Sequence, residues 1–119
     1  MVLTDYAENK LLDAVLRGQS LGAPATFYVA LSTGLRSDSA APTEPAGNAY
    51  ARVAVTSSLA NWAGSQAAAS TTASSGTGGT TSNNATISFP TSTGSWGNIQ
   101  SVWFMDASTA GNAWISIDL

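Results

Sequence analysis

The stretch Ile99-Gln100-Ser101-Val102-Trp103-Phe104-Met105 decides how this chain folds. Side chains alternate along an extended backbone, so Trp103 and Met105 face one side and Val102 and Phe104 face the other. Both sides are therefore apolar, which is typical of a central strand that is covered on both faces. We expect residues 99–105 to form the middle of a sheet, with a helix covering one side.

Strand patterns recur on either side of this segment. Downstream, a turn at residues 106–112 leads into Ala113–Leu119, which predicts a hairpin with the central strand. Upstream, alternating apolar residues predict three more strands, at residues 26–32, 50–56 and 85–89. The sequence therefore predicts a mainly β fold, a small antiparallel β-sandwich or jelly-roll-like domain with one N-terminal helix.

The helix is predicted at Asp5–Arg17. Ala7, Leu11 and Val15, with Leu12 and Leu16 beside them, recur at helical spacing, and Gly18 follows where a helix would end. Asp5 and Glu8 resemble a capping box, and Thr4 is a competing cap. The apolar stripe predicts a lid over the open face of the sheet. The alternative is a helix that docks on a partner subunit.

Two long segments lack a core-forming pattern. Residues 34–48 are polar and contain two prolines and two glycines, which predicts a long loop. Residues 64–84 are rich in Ser, Thr, Gly and Ala and contain no charged or large apolar side chain. This composition indicates either a flexible surface loop or an extended arm that lies across another subunit and pairs by strand addition.

Composition excludes most catalytic chemistry. The 119 residues include no histidine and no cysteine, which excludes Ser-His-Asp and Cys-His nucleophiles, thiolate or imidazole metal sites, and disulfides. Four Lys plus Arg against seven Asp plus Glu give a net charge of −3, which argues against nucleic-acid binding. No segment has the apolar length of a membrane span. We expect a single domain that is not an enzyme and carries no cofactor.

Three weaker interpretations concern particular side chains. A carboxylate pair could run glycoside hydrolysis, but the acids are scattered over a helix face, loops and turns. Asp38 and Glu44 could bind calcium with nearby carbonyls, although their spacing matches no EF-hand. Four tryptophans (Trp62, Trp96, Trp103 and Trp114) could form a sugar-stacking platform, but we expect most of them to be core residues.

Five motifs follow one another along the chain: Leu3–Asp13, Ala23–Thr26 leading into Tyr28–Leu31, Tyr50–Thr56, Ile87–Pro90 with Trp96-Gly97, and Phe104–Ala107 with Gly111-Asn112. In this order they resemble a family of small virion proteins of tailed bacteriophages that are often labelled tail fibre proteins. The resemblance spans most of the chain outside residues 64–84. It implies a structural role in the virion. Members commonly continue past the final hairpin with two more strands, so we expect a sheet edge near Leu119 that a neighbouring chain completes.

The favoured hypothesis is a capsid decoration, or cement, protein that binds the major capsid protein and copies of itself, with a trimer as one possibility. The alternative is a tail or head fibre component that binds a host surface glycan. Many weak contacts would sum across a large assembly. The partner-binding residues that we expect are Arg36, Asp38, Glu44, Ser70, Thr77, Gly78, Asn83, Trp114 and Leu119.

Overall fold

The computed structural model describes all residues from Met1 to Leu119. It confirms a mainly β fold with one N-terminal helix. The protein has one sheet where the sequence pattern predicts two layers of strands, and loops take the place of the second layer. The elements are β1 (Val2–Leu3), α1 (Asp5–Leu16), β2 (Thr26–Ser32), β3 (Val53–Thr56), β4 (Ser101–Met105) and β5 (Ala113–Asp118).

The five strands form one antiparallel sheet in the order β1-β5-β4-β2-β3. The strand β4 is central, as the sequence predicts. The predicted hairpin is present as β4 and β5, and Trp114 is an extra residue opposite the step from Phe104 to Met105. Such a bulge bends the strand locally. The edges of the sheet are β1 and β3, but β1 pairs only with Ile115 and Ser116 of β5, so the last strand keeps an open side near Leu119, as expected.

One side of the sheet, here called the covered face, carries the buried core. Ala30, Trp103 and Met105 are at most 2% exposed and pack together there. The register also places three serines on this side, Ser32, Ser101 and Ser116, each at most 1% exposed. Residues 33–43, which we call the 33–43 loop, contact these serines and close this face.

Each buried serine is hydrogen bonded to the backbone of the 33–43 loop. Ser101 Oγ donates to the Gly34 carbonyl at 2.6 Å, and Ser116 Oγ donates to the Ser37 carbonyl at 3.0 Å. Ser32 Oγ accepts from the amides of Gly34 and Thr43, both at 3.0 Å. The three hydroxyls thus satisfy backbone groups that a loop crossing a sheet would otherwise bury unpaired.

The other side of the sheet, here called the open face, is apolar. Val29 is buried at 2% exposure, whereas the other large side chains of β2, β4 and β5 on this face remain half-buried. No second sheet packs on it. Besides Val29, these residues are Phe27, Leu31, Val102, Phe104, Ile115 and Ile117.

Two of the predicted strands differ from the structure. The strand predicted at 50–56 begins only at Val53, and the one predicted at 85–89 is absent. Ile87 and Phe89 are half-buried, but their backbone joins no strand ladder. Alternation therefore reports the packing of two side chains there and not strand pairing.

The helix α1 is present, but it is not a lid over the sheet. Its cap is Thr4 and not the Asp5/Glu8 box, because Thr4 Oγ1 accepts from the Ala7 amide at 3.3 Å. The same hydroxyl donates to the Ala113 carbonyl, which joins the helix to the start of β5. Ala7 is the only buried residue of α1, so the leucines that were expected to cover the sheet do not touch its core.

Candidate interaction surfaces

The most exposed apolar surface of the protein lies on α1. Leu11, Leu12, Val15 and Leu16 are 44%, 55%, 69% and 76% exposed. They occupy one side of the helix at i, i+1, i+4 and i+5, and we call them the α1 stripe. Scattered exposed leucines are ordinary in soluble proteins, but a contiguous group on one helical side marks an interaction surface.

The helix turns its other side toward the sheet. Tyr6 packs edge-to-face on Trp114 with ring centroids 5.5 Å apart, and Ala7 is buried beside it. Lys10 lies above the Tyr6 ring at 5.7 Å, and Asp13 pairs with Arg17 at 3.3 Å. Tyr6 and Ala7 thus face the body of the protein, the charged residues flank them in solvent, and the leucines also face solvent. This orientation is the reverse of the usual one for a surface helix.

A second apolar surface is a cleft of about 640 Å³ on the open face. Its floor is the sheet, where Phe104 packs on Trp62 with ring centroids 5.5 Å apart. Its walls come from residues 57–82, which arch over the sheet without filling the space. We call it the open-face cleft. Its main apolar lining residues are Phe27, Leu59, Trp62, Phe104, Ile115 and Ile117.

The Ser/Thr/Gly-rich segment 64–84 folds back on itself at one wall of this cleft. Its two ends meet, since Ala63 N donates to Ser82 O and Asn84 N donates to Asn61 O, both at 2.8 Å. Gly64 and Gly78 approach other backbone atoms so closely that a Cβ on either would lie 2.7 Å from a carbonyl oxygen. Most of the segment is exposed. It is a closed loop in the isolated chain, and its pairing with another subunit stays a prediction.

The charged residues mostly pair within the chain. Arg36 Nε contacts Asp118 Oδ2 at 3.0 Å at the surface. Arg52, whose side chain is 6% exposed, donates from Nε to both oxygens of Glu44 at 3.1 Å. Arg52 also donates to the carbonyls of Ala107 and Ala110, at 2.6 and 2.8 Å. These bonds tie the loop before β3 to the β4–β5 turn.

The polar cluster around Glu44 shifts two pKa values. Burial alone would raise the pKa of Glu44, but hydrogen bonds from Arg52 and Tyr50 outweigh it and lower the pKa below 4.5. Burial raises the pKa of the Tyr50 hydroxyl well above its usual range, and the neighbouring Glu44 carboxylate adds to that rise. The hydroxyl donates to Glu44 at 2.8 Å and accepts from the Leu31 amide at 2.9 Å. The cluster therefore has a structural role.

Asp106 is a second carboxylate with a lowered pKa. Burial acts to raise its pKa, but the side-chain and backbone N–H groups of Asn112 stabilise the ionised form. Asn112 donates at 2.7 Å from its amide and at 2.9 Å from Nδ2. These bonds close the β4–β5 turn. Nowhere do three or more His, Cys, Asp or Glu side chains converge as a metal site would need.

The residues predicted for partner binding lie in separate places. Arg36, Asp38 and Glu44 are on the loop between β2 and β3, and Glu44 is held by Arg52. Leu119 is 77% exposed, whereas Trp114 is 7% exposed between Tyr6 and Phe27. The remaining four, all in the 64–84 region, are Ser70, Thr77, Gly78 and Asn83. The structure does not bring the nine residues into one surface.

The α1 stripe and the open-face cleft were not predicted as sites. The helical periodicity identifies the leucines but leaves open which side of the helix meets the sheet. One signal was present, because Thr4 alone separates Val2–Leu3 from the helix. So short a connection fixes the first turn of the helix at the sheet. The later turns of the helix therefore have no linker that would let them lie across the sheet.

Of the four tryptophans, Trp103 and Trp114 are buried, as expected for core residues. Trp62 and Trp96 are half-buried. Trp96 packs edge-to-face on Tyr50 at 5.4 Å and donates to the Asn48 carbonyl at 2.8 Å. Trp62 belongs to the cleft. The two half-buried tryptophans therefore do not form a common flat platform with the buried pair.

Comparison with known proteins identifies one family. Residues 2–119 match a family model described as Podophage GP4 fiber I protein gp80. No curated protein has significant sequence similarity to the chain. None of the helical structure has the length and apolar character that crossing a bilayer would demand.

Proposed function

Since the chain belongs to the family described as Podophage GP4 fiber I protein gp80, we propose that this phage structural protein fastens to neighbouring chains in the virion through its α1 stripe. The resemblance to small virion proteins of tailed bacteriophages is confirmed by this membership. A component of the virion needs contacts with other chains, and the stripe is the largest group of exposed leucines in the fold.

The observation that carries the proposal is the orientation of α1. Leu12, Val15 and Leu16 are more than half exposed on a helix whose opposite side already packs on the body. Burying one such side chain stabilises a complex by about 1.5–3 kcal/mol when it is fully removed from water. In the isolated chain more than half of each of these side chains is still in water, so a partner that covers the stripe gains the corresponding part on binding.

For its place in the particle we propose decoration of the head, with the major capsid protein and further copies of this chain as partners. A decoration protein stabilises a shell by adding interface area in the assembled state only, so many modest contacts sum. The low charge of the chain, −3 over 119 residues, supports close packing against neighbours without strong repulsion. The predicted residues of the loops, from Arg36 to Asn83, would supply further polar contacts at separate places on the surface.

The second candidate is a component of a tail or head fibre that binds a host surface glycan. The description of the family names a fibre protein, which is compatible with this candidate and with decoration alike. The half-exposed rings of Trp62 and Trp96 are the groups that would stack on a sugar. On this alternative the protein would sit at a few symmetry-related positions and not over the whole shell.

Copy number separates the two placements. Quantitative mass spectrometry of purified virions, referenced to the major capsid protein, should give hundreds of copies per particle for a decoration protein. A fibre component should give a few dozen or fewer. A count in that low range, together with binding of the purified chain to host glycan, would overturn decoration in favour of the fibre.

The attachment surface is tested with a double substitution of the α1 stripe. Leu12→Gln/Leu16→Gln should fold normally, because both side chains are exposed, but should be depleted from virions by about tenfold or more. Leu35→Gln is the matched control, since Leu35 is 64% exposed on a different surface. Equal incorporation of the two variants would contradict the proposed role of α1.

A further inference from the structure

We propose that the α1 stripe of one copy docks in the open-face cleft of a second copy of this chain. The inference rests on the proposed function, because it names the neighbour to which α1 fastens. It joins two apolar surfaces that the same chain presents at different places, a helix with largely exposed leucines and a cleft with a half-buried apolar floor.

The helix does not fill the cleft of its own chain. No residue of α1 lines the cleft, and among the strands α1 contacts only β1 and β5. The bond from Thr4 to Ala113 fixes the first turn of α1 where β5 begins, whereas the cleft extends along β5 to Ile117. With twelve residues the helix is about 18 Å long, and its leucines lie in the later turns, which have no linker to return them to the sheet.

The sizes of the two surfaces match. An engineered cavity that holds one benzene-sized group measures about 150 Å³, so a cleft of 640 Å³ has room for about four apolar side chains of that size. The α1 stripe presents four, of which three are leucines. The floor of the cleft, Phe104, Ile115 and Ile117, is apolar like the stripe. Docking would therefore exchange water for apolar contact on both surfaces.

The charges also permit this contact. The side chains that line the cleft are uncharged, and several carry hydroxyl groups, such as those of Ser57, Ser74 and Ser82. On α1, Lys10, Asp13 and Arg17 lie on the side turned away from the stripe and would stay in water. Glu8 is at the N-terminal end of the stripe, where it would meet the hydroxyl rim of the cleft. No charged side chain has to enter an apolar environment, which would be costly.

Disulfide trapping tests this contact directly, because the chain contains no cysteine. Purified Leu16→Cys and Ser82→Cys proteins, carrying different tags, are mixed and oxidised. We expect at least about tenfold more mixed disulfide than for the control mixture of Leu16→Cys with Ser39→Cys, since docking raises the local concentration of the two thiols. Ser39 is exposed on the 33–43 loop, away from the cleft.

Sedimentation of the cysteine-free protein completes the test. The original chain should self-associate with rising concentration, and Leu12→Gln/Leu16→Gln should remain monomeric, while Leu35→Gln behaves as the original. Equal trapping by Ser82→Cys and Ser39→Cys would overturn the inference. A second result would also overturn the inference. In it, the original chain remains monomeric, and its open-face cleft binds an apolar dye no differently from the cleft of Leu12→Gln/Leu16→Gln.

The two proposals fail separately. If the stripe variant is lost from virions but the thiols are not trapped, α1 fastens to another virion protein, so the attachment role stands and the contact between copies falls. If the thiols are trapped but incorporation is normal, the copies associate through α1 while a different surface holds them in the particle.

Discussion

The two faces of the sheet are finished in opposite ways. The covered face is closed by small polar residues, because three buried serines bond the backbone of the 33–43 loop over Trp103. The open face is richer in large apolar side chains, yet it retains a cleft of about 640 Å³. The chain therefore closes the covered face by itself, with hydrogen bonds to a loop, and leaves a cleft over the apolar open face.

This difference indicates where stability and assembly reside. Hydrogen bonds between buried groups are local and specific, and leaving one partner unpaired costs the full desolvation of that group. Apolar contact is not directional and suits a surface that meets another chain. The covered face should therefore be sensitive to small substitutions, and the open face of the free chain should tolerate them.

The largest effect is expected for Ser101→Ala on the covered face. Ser101 Oγ donates to the Gly34 carbonyl and accepts from Trp103 Nε1 at 2.8 Å, so its removal leaves two buried groups unpaired. We expect a loss of about 2–4 kcal/mol in the free energy of unfolding, measured by urea denaturation.

The matched control for this substitution is Ser92→Ala. Ser92 is exposed, and its replacement should change stability by less than about 0.5 kcal/mol. If Ser101→Ala were as neutral as the control, the serines would merely fill space beneath the 33–43 loop, and the contrast between the two faces would disappear.

The sequence predicts the strands of the sheet better than it predicts the segments that cover the sheet. The segment Thr26–Ser32 is a strand over its whole predicted length, because its alternation is bounded by turn residues and its neighbours in the sheet have the same pattern. Ile87 and Phe89 alternate equally well but form no strand, because pairing depends on where the fold places the segment, which the local pattern does not record.

The surfaces could not be predicted for a related reason. Periodicity identifies the apolar side of α1, but the bond from Thr4 to β5 decides which side meets the sheet. The open-face cleft depends on how high residues 57–82 arch above the strands, which no local pattern records. The sequence does not reveal the buried serines either. No local pattern distinguishes a serine that bonds water from one that bonds the carbonyl of a distant loop.

A smaller effect is expected where Glu44 ties a loop to β3. Replacing Glu44 by Gln keeps a hydrogen-bond acceptor but removes the charge opposite the buried Arg52, which should destabilise the protein by about 1–2 kcal/mol at pH 7. Because the pKa of Glu44 is lower in the folded protein than its ordinary 4.5, its contribution is complete above that pH. It is lost as the pH falls through the folded pKa.

The measurement is the difference in unfolding free energy between the original protein and Glu44→Gln across a pH series. The difference should be constant at neutral pH and should shrink as the solution is acidified below about pH 4.5. A difference that stayed constant into strong acid would show that the charge of Glu44 does not contribute to holding this loop.

The smallest effect is expected for Ile117→Thr on the open face. Ile117 is the neighbour of Ser116 on β5 but points to the opposite side, where it is only half-buried at the cleft. Threonine keeps the β-branched shape, so the dilute chain should lose about 1 kcal/mol or less in the free energy of unfolding.

Ser116→Ala, which removes a far smaller group, should cost more, because the Ser37 carbonyl loses its donor. Urea denaturation of both variants at low protein concentration decides the order. If Ile117→Thr lowered the free energy of unfolding more than Ser116→Ala, the open face would be part of the core of the free chain. The cleft would then not be a surface that is available to another copy.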